Sequence, residues 1–430
     1  MEYCVRCMYP ANAKPTLKLD EEGVCSGCRY HESRADLDIP WDEREEMLQF
    51  MVDDAKRMAK ERGNSHDCII PVGGGKDSTY QVWLMKEKYG MNPLLVTYNH
   101  LFNTPAGNRN LSNLVEKSGC DLIRYTAGPD SVRKIARYML EQVGDLNWHY
   151  HAGIRTLPFQ VAVKYNIPLI VWGEHGFGEL TGVVTLEDFV EFTKWTRKEH
   201  DMRGYEPHDL IGKGGITEQD IAPYIYPTDE EIARTDVRGI FLSNHVYWNG
   251  KAHAQQMIDE WGFAPVSYER ERSFNLHSRL EDHANDIHDY LKYLKFGYGR
   301  ATDDASMEIR HGRMTREQGI EMVKRYDAVE PSTLGLYCDF LGISKQEFYD
   351  LIEPMRDLDI WEKNADGEWV VKDSIDRHPI GEREEKARIP LTEDLTFSEQ
   401  NRHLYYNPEN PPEPTGDPDL DDYPEKFCML

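Results

Sequence analysis

The chain has 430 residues, of which 40% are hydrophobic, and its 76 acidic and 50 basic residues give a formal net charge of -26. A chain of this length can form two or three domains of roughly 150 residues each. A negative field of this size repels nucleic-acid phosphates, so we do not expect a nucleic-acid partner. The sequence has no apolar run of about 18 residues and no signal peptide, and we therefore expect a cytoplasmic protein without a membrane segment.

Four of the eight cysteines lie in the first 28 residues, in a head that we delimit as residues 1–40. They form two C-x-x-C pairs, Cys4 with Cys7 and Cys25 with Cys28, with 17 residues between the pairs. Two knuckles of this spacing supply the tetrahedral thiolate set that zinc prefers, and they leave no open position for catalysis. We predict a structural Zn²⁺ that supplies folding energy to a head too short for its own core. An iron–sulfur cluster or a redox-active dithiol pair is the alternative.

The next predicted domain, residues 41–235, alternates between strands and helices after an initial helix at 41–62. This alternation predicts an α/β fold with a doubly wound parallel sheet covered by helices on both faces. In such folds ligands bind beyond the carboxyl ends of the strands. The predicted strands are 68–72, 93–98, 122–125 and 168–172, and the predicted helices are 78–89, 108–117, 131–143 and 155–165.

A glycine-rich segment follows the first predicted strand. Residues 71–78 are Pro-Val-Gly-Gly-Gly-Lys-Asp-Ser, and a helix is predicted directly after them. Successive glycines let backbone N–H groups approach an oxyanion, and a helix N-terminus favours negative charge. The spacing fits neither the Walker A motif nor the dinucleotide G-x-G-x-x-G motif. We predict that Gly73, Gly74 and Gly75 bind nucleotide phosphates; a glycine turn with incidental charges is the alternative.

Three polar side chains complete the predicted phosphate site, and we assign the catalytic roles to them. Lys76 adds a cation, and Ser78 adds a hydroxyl that can donate a hydrogen bond to an oxyanion. Asp77 suits Mg²⁺, because a carboxylate repels phosphate unless a cation lies between them. Alternatively, Asp77 is a helix N-terminal carboxylate that interacts with the helix dipole.

Two further strand ends supply candidate nucleotide contacts. Tyr98 and Asn99 lie at the end of the second predicted strand, and Gly173 and Glu174 follow the fourth. We predict that these residues bind the nucleotide, because the carboxyl ends of parallel strands line the ligand site. Their position is the argument, and an ordinary strand-to-loop edge is the alternative.

Residues 236–375 are predicted to form a mostly helical substrate-binding region, with one further strand at 236–243 and a long helix at 276–294. The remaining residues, 376–430, form an acidic, proline-rich tail with the segment Asn-Pro-Glu-Asn-Pro-Pro-Glu-Pro at 407–414. We expect this tail to be extended and packed lightly or not at all.

The densest group of functional side chains begins at residue 295 with Lys-Phe-Gly-Tyr-Gly-Arg-Ala-Thr-Asp-Asp. Arginines there can bind phosphates through paired hydrogen bonds, and the acidic residues can hold sugar hydroxyls or a metal. A solvated, salt-bridged loop and helix is the alternative. The predicted substrate-binding residues are Lys295, Arg300, Asp303, Asp304, Glu308 and Arg310.

With the four-cysteine head, the Gly-Gly-Lys-Asp-Ser loop at 74–78 and the segment at 295–303 on one chain, the sequence resembles the N-acetyl sugar amidotransferases. This family includes the lipopolysaccharide O-antigen and pseudaminic acid amidotransferases. The loop resembles Ser-Gly-Gly-x-Asp-Ser of the ATP pyrophosphatase, or PP-loop, superfamily, whose fold is adenine nucleotide α-hydrolase-like. The resemblance covers residues 3–327, and 295–310 is its most specific part. Gly73 stands where the superfamily has Ser, which removes one side-chain contact to phosphate.

The resemblance implies ATP-dependent conversion of the acetamido group of a nucleotide-linked N-acetyl sugar into an acetamidino group, in surface polysaccharide biosynthesis. The acetamido oxygen is adenylated with release of pyrophosphate, and ammonia then displaces AMP. Related systems draw ammonia from a separate glutaminase, and this sequence has no convincing glutaminase nucleophile. We therefore expect ATP, Mg²⁺ and structural Zn²⁺ as cofactors, and a sugar nucleotide and a glutaminase subunit as partners.

Three other functions remain open at this stage. A tRNA sulfur transferase combines the same loop with cysteine knuckles and uses a sulfur nucleophile, but the net charge of -26 and the scattered remaining cysteines count against it. A degenerate loop that only binds nucleotide, beside a head that docks a partner, is a non-enzymatic alternative. An enzyme that converts a carboxylate into an amide is the third.

Overall fold

The computed structural model describes residues 1–36, 39–378, 380–392, 394–424 and 428–429. Its centre is a five-stranded parallel sheet formed by β1 (Cys68–Pro71), β2 (Pro93–Asn99), β3 (Leu122–Thr126), β4 (Leu169–Trp172) and β5 (Arg238–Phe241). The four predicted strands are confirmed within one or two residues, and the strand predicted at 236–243 pairs with β4 as the fifth. The order of the strands in the sheet is β3-β2-β1-β4-β5.

Helices cover the sheet and form most of the C-terminal half, and β6 (Trp361–Lys363) and β7 (Trp369–Val371) form a separate antiparallel hairpin. Within the described part of the chain, no helix has the length and apolarity needed to cross a bilayer. In chain order the helices are α1 (Ser26–Asp36), α2 (Trp41–Glu61), α3 (Lys76–Trp83), α4 (Pro105–Ser118), α5 (Pro129–Val143), α6 (Trp148–Tyr165), α7 (Gly176–Thr181), α8 (Lys194–Thr196), α9 (Glu218–Ile221), α10 (Asp229–Thr235), α11 (Gly250–Trp261), α12 (Ala284–Phe296), α13 (Arg300–Arg310), α14 (Arg316–Tyr326), α15 (Leu334–Leu341), α16 (Lys345–Ile352), α17 (Glu382–Ala387) and α18 (Pro418–Asp421).

Alternate side chains of the strands enter two separate apolar cores. Ile69 and Ile170 pack into a core that contains α5 and α6. Ile70 and Val171 pack into a second core on the other face, together with α2, α3, α4 and α11. Because side chains alternate along a strand, continuous apolar runs such as β1 and β4 are buried on both faces, as expected for a parallel sheet. The predicted doubly wound α/β fold is confirmed.

The helix predicted at 276–294 is wrong in its first eight residues. Helix α12 begins at Ala284, and residues 276–283 form an irregular loop in which Arg279 has a φ of 56°. The left-handed region that Arg279 occupies does not occur inside a right-handed helix. Leu276 and Leu280 are buried at helical spacing, which explains the wrong prediction. His277, Ser278 and Arg279 line the central cavity and Glu281 lines the loop cavity, both described below.

The prediction of a lightly packed tail is wrong for the segment 396–405, whereas most other described residues of the tail are exposed or half-buried. Leu404 and Tyr405 are fully buried, with exposed fractions of 0% and 1%. The Leu276 amide donates to the Leu404 carbonyl at 2.8 Å, and the Tyr406 amide donates to the Phe274 carbonyl at 2.7 Å. A short apolar segment within a polar, proline-rich sequence is therefore enough to fix the tail to the C-terminal helices.

Candidate active site

Three adjoining cavities lie along the carboxyl ends of β1, β2 and β4. The loop cavity, about 220 Å³, is lined by the glycine-rich segment. The central cavity, about 360 Å³, shares Asp77 with the loop cavity. The outer cavity, about 530 Å³, shares Arg279 and Arg300 with the central cavity. The three cavities therefore adjoin one another in series, from the glycine loop to the helices of the C-terminal region.

Close packing against α4 fixes the glycine loop. Gly74 has a φ of +87°, and a Cβ at this position would lie 2.5 Å from the Gly107 carbonyl oxygen. Gly75 precedes the first turn of α3, and the Ser78 hydroxyl donates to its carbonyl at 3.0 Å. A Cβ on Gly73 would meet only the Glu281 Cγ, at 4.0 Å. Gly74 is therefore required by geometry, whereas the replacement of the superfamily Ser by Gly73 is not.

Lys76, which is buried, and Asp77, which is half-buried, form an ion pair where the loop and central cavities meet. The Lys76 Nζ lies 2.6 Å from the Asp77 Oδ2. Burial alone would lower the pKa of Lys76, but the charges of Asp77, Glu174 and Asp304 outweigh it and raise the pKa. The Asp77 Oδ1 is buried and has no hydrogen-bond partner. An orphaned carboxylate oxygen beside an anion loop is a ligand that a hard cation such as Mg²⁺ would satisfy.

Glu281 is a second carboxylate at the glycine loop, and sequence reasoning missed it. Its Oε2 lies 3.8 Å from the position that a Cβ would take on Gly75, and this oxygen is also buried without a partner. The Glu281 carbonyl accepts a hydrogen bond from the Thr104 amide at 3.1 Å, which fixes the loop that carries it. Two unpaired carboxylate oxygens beside a phosphate-type cradle fit a divalent cation, because without one they would repel phosphate.

The remainder of the loop cavity is mostly apolar, with Gln81, His100 and Tyr150 as polar side chains, which fits a flat nucleobase. Tyr98 lines it together with Val96, Leu157 and Trp172, and the Tyr98 hydroxyl lies 2.8 Å from the Tyr224 hydroxyl. Tyr98 is therefore placed where a nucleotide contact was predicted.

Asn99 lies away from the three cavities, because its side chain holds other backbone segments. Its Nδ2 donates to the Met429 carbonyl at 2.8 Å, and its Oδ1 accepts from the Leu101 amide at 3.1 Å. Both groups of the amide are thus engaged in fixing the strand end and the last described residues. Asn99 therefore stabilises the local backbone, and the structure does not support its predicted contact to the nucleotide.

Gly173 and Glu174 have different surroundings. A Cβ on Gly173 would lie 2.4 Å from the Gln81 Nε2, so this glycine permits close packing of β4 on α3. The Glu174 side chain lines the central cavity beside Lys76 and Asp77. Burial and the charge of Asp77 raise the pKa of Glu174 to about 8.

Helix α13 presents three of the predicted substrate-binding residues to the central cavity: Arg300, Asp304 and Glu308. Burial raises the pKa of Asp304 to about 7. Glu308 is paired with Arg313, whose Nε and Nη2 lie 2.6 and 2.9 Å from its carboxylate oxygens, and it also accepts from the Tyr405 hydroxyl at 3.1 Å.

The outer cavity is lined in part by Lys295, Arg300 and Asp303. Arg300 donates two hydrogen bonds of 2.9 Å to Asp289 and lies 3.0 Å from Asp303. The Lys295 Nζ donates to the Val143 carbonyl at 3.2 Å, and burial lowers the pKa of Lys295 to about 8. Five of the six residues predicted from this segment thus line the central or the outer cavity.

Arg310, the sixth, lies at the cysteine cluster. Its Nη2 is 3.5 Å from the Cys25 Sγ and 3.9 Å from the Cys7 Sγ, and its Nη1 donates to the Glu179 carbonyl at 2.8 Å. With its guanidinium committed to the sulfurs, Arg310 is not placed to bind substrate phosphate as the sequence predicted.

The four predicted metal ligands come together as one buried cluster. All four Sγ atoms lie within 4.8 Å of one another, with Cys4 to Cys28 at 3.9 Å and Cys7 to Cys25 at 3.6 Å. A tetrahedral zinc ion with Zn–S bonds of about 2.3 Å separates its sulfurs by about 3.8 Å. The donor set and spacing therefore fit zinc, with Arg310 as a nearby positive charge that offsets the thiolates.

Several cavity residues lie outside every motif that the sequence presented. His277 and Arg279 line the central cavity from the irregular loop before α12, and Tyr405 reaches it from the tail. The His277 Nδ1 donates to the Leu404 carbonyl at 3.1 Å, which leaves Nε2 as the ring nitrogen available to the cavity. The sequence signal that was available is the dense polar segment His-Ser-Arg-Leu-Glu-Asp-His at 277–283.

A doubly wound parallel sheet with a glycine-rich loop after β1 makes this protein an α/β protein, as predicted. Residues 268–375 match the family model described as the C-terminal domain of WbpG-like LPS biosynthesis proteins. This match covers about a quarter of the chain and contains the segment 295–310, so it agrees with the resemblance at its most specific motif.

Two individual proteins are also similar to this chain. The uncharacterized protein MJ1599 of Methanocaldococcus jannaschii is 24% identical over 229 residues, which cover 48% of this chain and 78% of that protein. The structure of NMN synthetase from Francisella tularensis aligns with 48% of this chain and 94% of its own, at 13% identity and a TM-score of 0.26.

Proposed function

We propose that this protein is an ATP-dependent N-acetyl sugar amidotransferase that forms AMP and pyrophosphate and acts in surface polysaccharide biosynthesis. The observation that carries the proposal is the series of three cavities, which joins the glycine loop to the helix that bears the family's most specific motif. The match of residues 268–375 to WbpG-like LPS biosynthesis proteins supports the same conclusion.

The proposed first step is transfer of AMP to the acetamido oxygen. An amide is a poor electrophile, and its oxygen becomes a leaving group once it is bonded to the α-phosphorus of ATP. The bond from that phosphorus to the bridging oxygen breaks, and pyrophosphate leaves with the electron pair. The loop cavity would hold the nucleobase against Tyr98, and the loop backbone and Lys76 would stabilise the charge that develops on the phosphates.

A divalent cation would be held at the glycine loop by Asp77 and Glu281, with Glu174 nearby. When bound, Mg²⁺ neutralises charge on the phosphates of ATP. The chain's own contribution is to hold the carboxylate oxygens beside the loop. Gly107 permits this, because a Cβ there would lie 2.4 Å from the Glu281 Cα.

The proposed second step is attack of ammonia on the adenylated carbon, followed by loss of AMP, which carries away the former acetamido oxygen. The nitrogen must lose one proton to leave the acetamidino product. Asp304 lines the central cavity, and its pKa of about 7 suits a proton acceptor at neutral pH. We further propose that a separate glutaminase subunit supplies the ammonia.

The sugar would lie in the central cavity, and the nucleotide to which it is attached would extend into the outer cavity. Among the described residues, six Lys or Arg side chains and five carboxylates line the outer cavity, which leaves an excess of one positive charge within a protein whose net charge is -26. A local group of cations in an acidic protein favours an anionic ligand such as a diphosphate.

The sulfur-transferase alternative requires a catalytic cysteine near the adenylated group. Among the described residues that line the three cavities, none is a cysteine. Cys68, Cys120 and Cys338 are buried in the apolar cores. This arrangement favours nitrogen transfer over sulfur transfer.

The test is pyrophosphate release by the purified protein with ATP, Mg²⁺, ammonium and UDP-N-acetylglucosamine or another N-acetyl sugar nucleotide. We expect AMP and pyrophosphate in equal amounts, and loss of both in Asp77→Ala and Ser78→Ala with the fold intact by circular dichroism. Wild-type turnover in both variants would refute the role of the loop. ADP formation in place of AMP would refute the reaction class.

A further inference from the structure

We propose that the cysteine head forms a wall of the substrate site, and that the metal-loaded head positions the cations that bind the substrate. This inference rests on the proposed function, because it takes the outer cavity as the place of the sugar nucleotide. It assigns the head a part in substrate affinity in addition to its own folding. Tyr9 is the residue through which this effect is transmitted.

The head contributes Tyr9, Lys14 and Pro15 to the lining of the outer cavity. Tyr9 follows Cys7 by two residues, and its carbonyl accepts a hydrogen bond from the Cys4 amide at 2.9 Å. Tyr9 therefore belongs to the turn of the first knuckle, and its position depends on the geometry of the metal ligands on either side of that turn.

The buried Tyr9 side chain connects this knuckle to the cations of the outer cavity. Its hydroxyl donates to the Asp303 Oδ1 at 2.7 Å. The Asp303 Oδ2 is paired with Lys292 and lies 3.0 Å from the Arg300 Nη1. One carboxylate thus holds two cations, and Tyr9 holds that carboxylate without adding a competing charge. Tyr9 is in this sense a positioning residue for Lys292 and Arg300.

The second knuckle holds the opposite wall of the cavities. The Ser26 hydroxyl donates to the Thr181 carbonyl at 2.6 Å, and a Cβ on Gly182 would lie 2.3 Å from the Ser26 carbonyl oxygen. Thr181 lines the outer cavity, and the neighbouring Leu180 lines both the outer and the central cavity. Arg310, the last residue of α13, joins the two walls. Its Nη2 contacts the Cys25 sulfur, and its Nη1 donates to the carbonyl of Glu179 in α7.

The experiment compares Tyr9→Phe with the matched control Tyr3→Phe. Tyr3 lies on the same head, but its ring packs on His378 at a centroid distance of 4.6 Å and does not line the cavity. Both variants keep the ring and all four cysteines. We expect one zinc per chain in both and unchanged affinity for ATP in both. Only Tyr9→Phe should weaken binding of UDP-N-acetylglucosamine, by about tenfold in calorimetry. The Asp303 carboxylate, which holds Lys292 and Arg300, loses its hydrogen bond from Tyr9 in this variant.

The steady-state readout separates positioning from general damage. Tyr9→Phe should raise KM for the sugar nucleotide while kcat changes less than threefold, whereas a damaged fold would lower kcat and zinc content together. Equal sugar-nucleotide affinity in the wild type and both variants would overturn the role of the head and leave the proposed function standing. Wild-type protein that binds none of a panel of UDP-, GDP- and dTDP-linked N-acetyl sugars would reject both.

Discussion

Replacement of Arg310 by Met removes the positive charge beside the cysteine cluster and keeps an unbranched side chain as long as the arginine stem up to Nε. The Arg310 Nη2 lies 3.5 Å from the Cys25 Sγ. Opposite unit charges at this distance attract by about 4–5 kcal/mol at an effective dielectric constant of about 20. Four thiolates with one Zn²⁺ carry a net charge of -2 spread over four sulfurs. The buried guanidinium also loses hydration, which offsets part of the attraction.

We therefore expect Arg310→Met to weaken zinc binding by about 2–3 kcal/mol, or roughly 30- to 150-fold in Kd. Competition with a chromophoric chelator at fixed ionic strength measures this directly. The matched control is Arg316→Met. Arg316 is also buried beside the cluster, but its Nε donates to the Cys7 carbonyl at 3.1 Å and not to a sulfur.

The control variant should lose less zinc affinity than Arg310→Met, because the Arg316 charge also acts on Cys4 and Cys7 but its hydrogen bond goes to a backbone carbonyl and not to a sulfur. Wild-type zinc affinity in Arg310→Met would refute the electrostatic reasoning. Equal losses in the two variants would also refute it, since a loss of packing would then explain both.

Three further predictions follow from individual contacts. Burial raises the pKa of Glu174 from 4.5 to about 8 in the folded protein. Between these pH values the carboxyl ionises more readily in the unfolded chain, so Glu174 lowers the free energy of unfolding as the pH rises from 4.5 to about 8. Glu174→Gln should raise the melting temperature of the ligand-free protein at pH 9 and lose this gain at pH 4; a gain independent of pH would contradict the assignment. Gly74→Ala would place a Cβ 2.5 Å from the Gly107 carbonyl at a φ of +87°, and should cost about 2–4 kcal/mol in urea unfolding. Gly73→Ser, at an open position, should keep wild-type stability. Tyr405→Phe loses its 3.1 Å hydrogen bond to Glu308 and should lower the free energy of unfolding by about 1 kcal/mol; an unchanged value would argue that this tail contact is unimportant.

Local patterns predicted the parts of the molecule that depend on neighbours in sequence. The apolar runs of β1 and β4 are recognisable without any tertiary information, because both faces of a parallel sheet are buried. The C-x-x-C spacing likewise predicts a four-thiolate cluster, and the sulfurs do meet within 4.8 Å.

The residues that were missed depend on contacts between distant parts of the chain. Glu281 reaches the glycine loop from a segment whose leucines have helical spacing, and only the backbone conformation of Arg279 shows that no helix forms there. Arg310 was grouped with Arg300 because both belong to one motif. In α13, a rise of about 1.5 Å per residue separates them by about 15 Å, so Arg300 lines the cavities while Arg310 reaches the cysteines.

The most direct test of the account follows the acetamido oxygen. An N-acetyl sugar nucleotide that is turned over by the protein is prepared with ¹⁸O in the acetamido group and incubated with ATP, Mg²⁺ and ammonium. The AMP is then analysed by mass spectrometry. Adenylation of that oxygen predicts one ¹⁸O atom in each AMP formed with the acetamidino product. Unlabelled AMP, with the label retained in the sugar or released to water, would contradict the central claim.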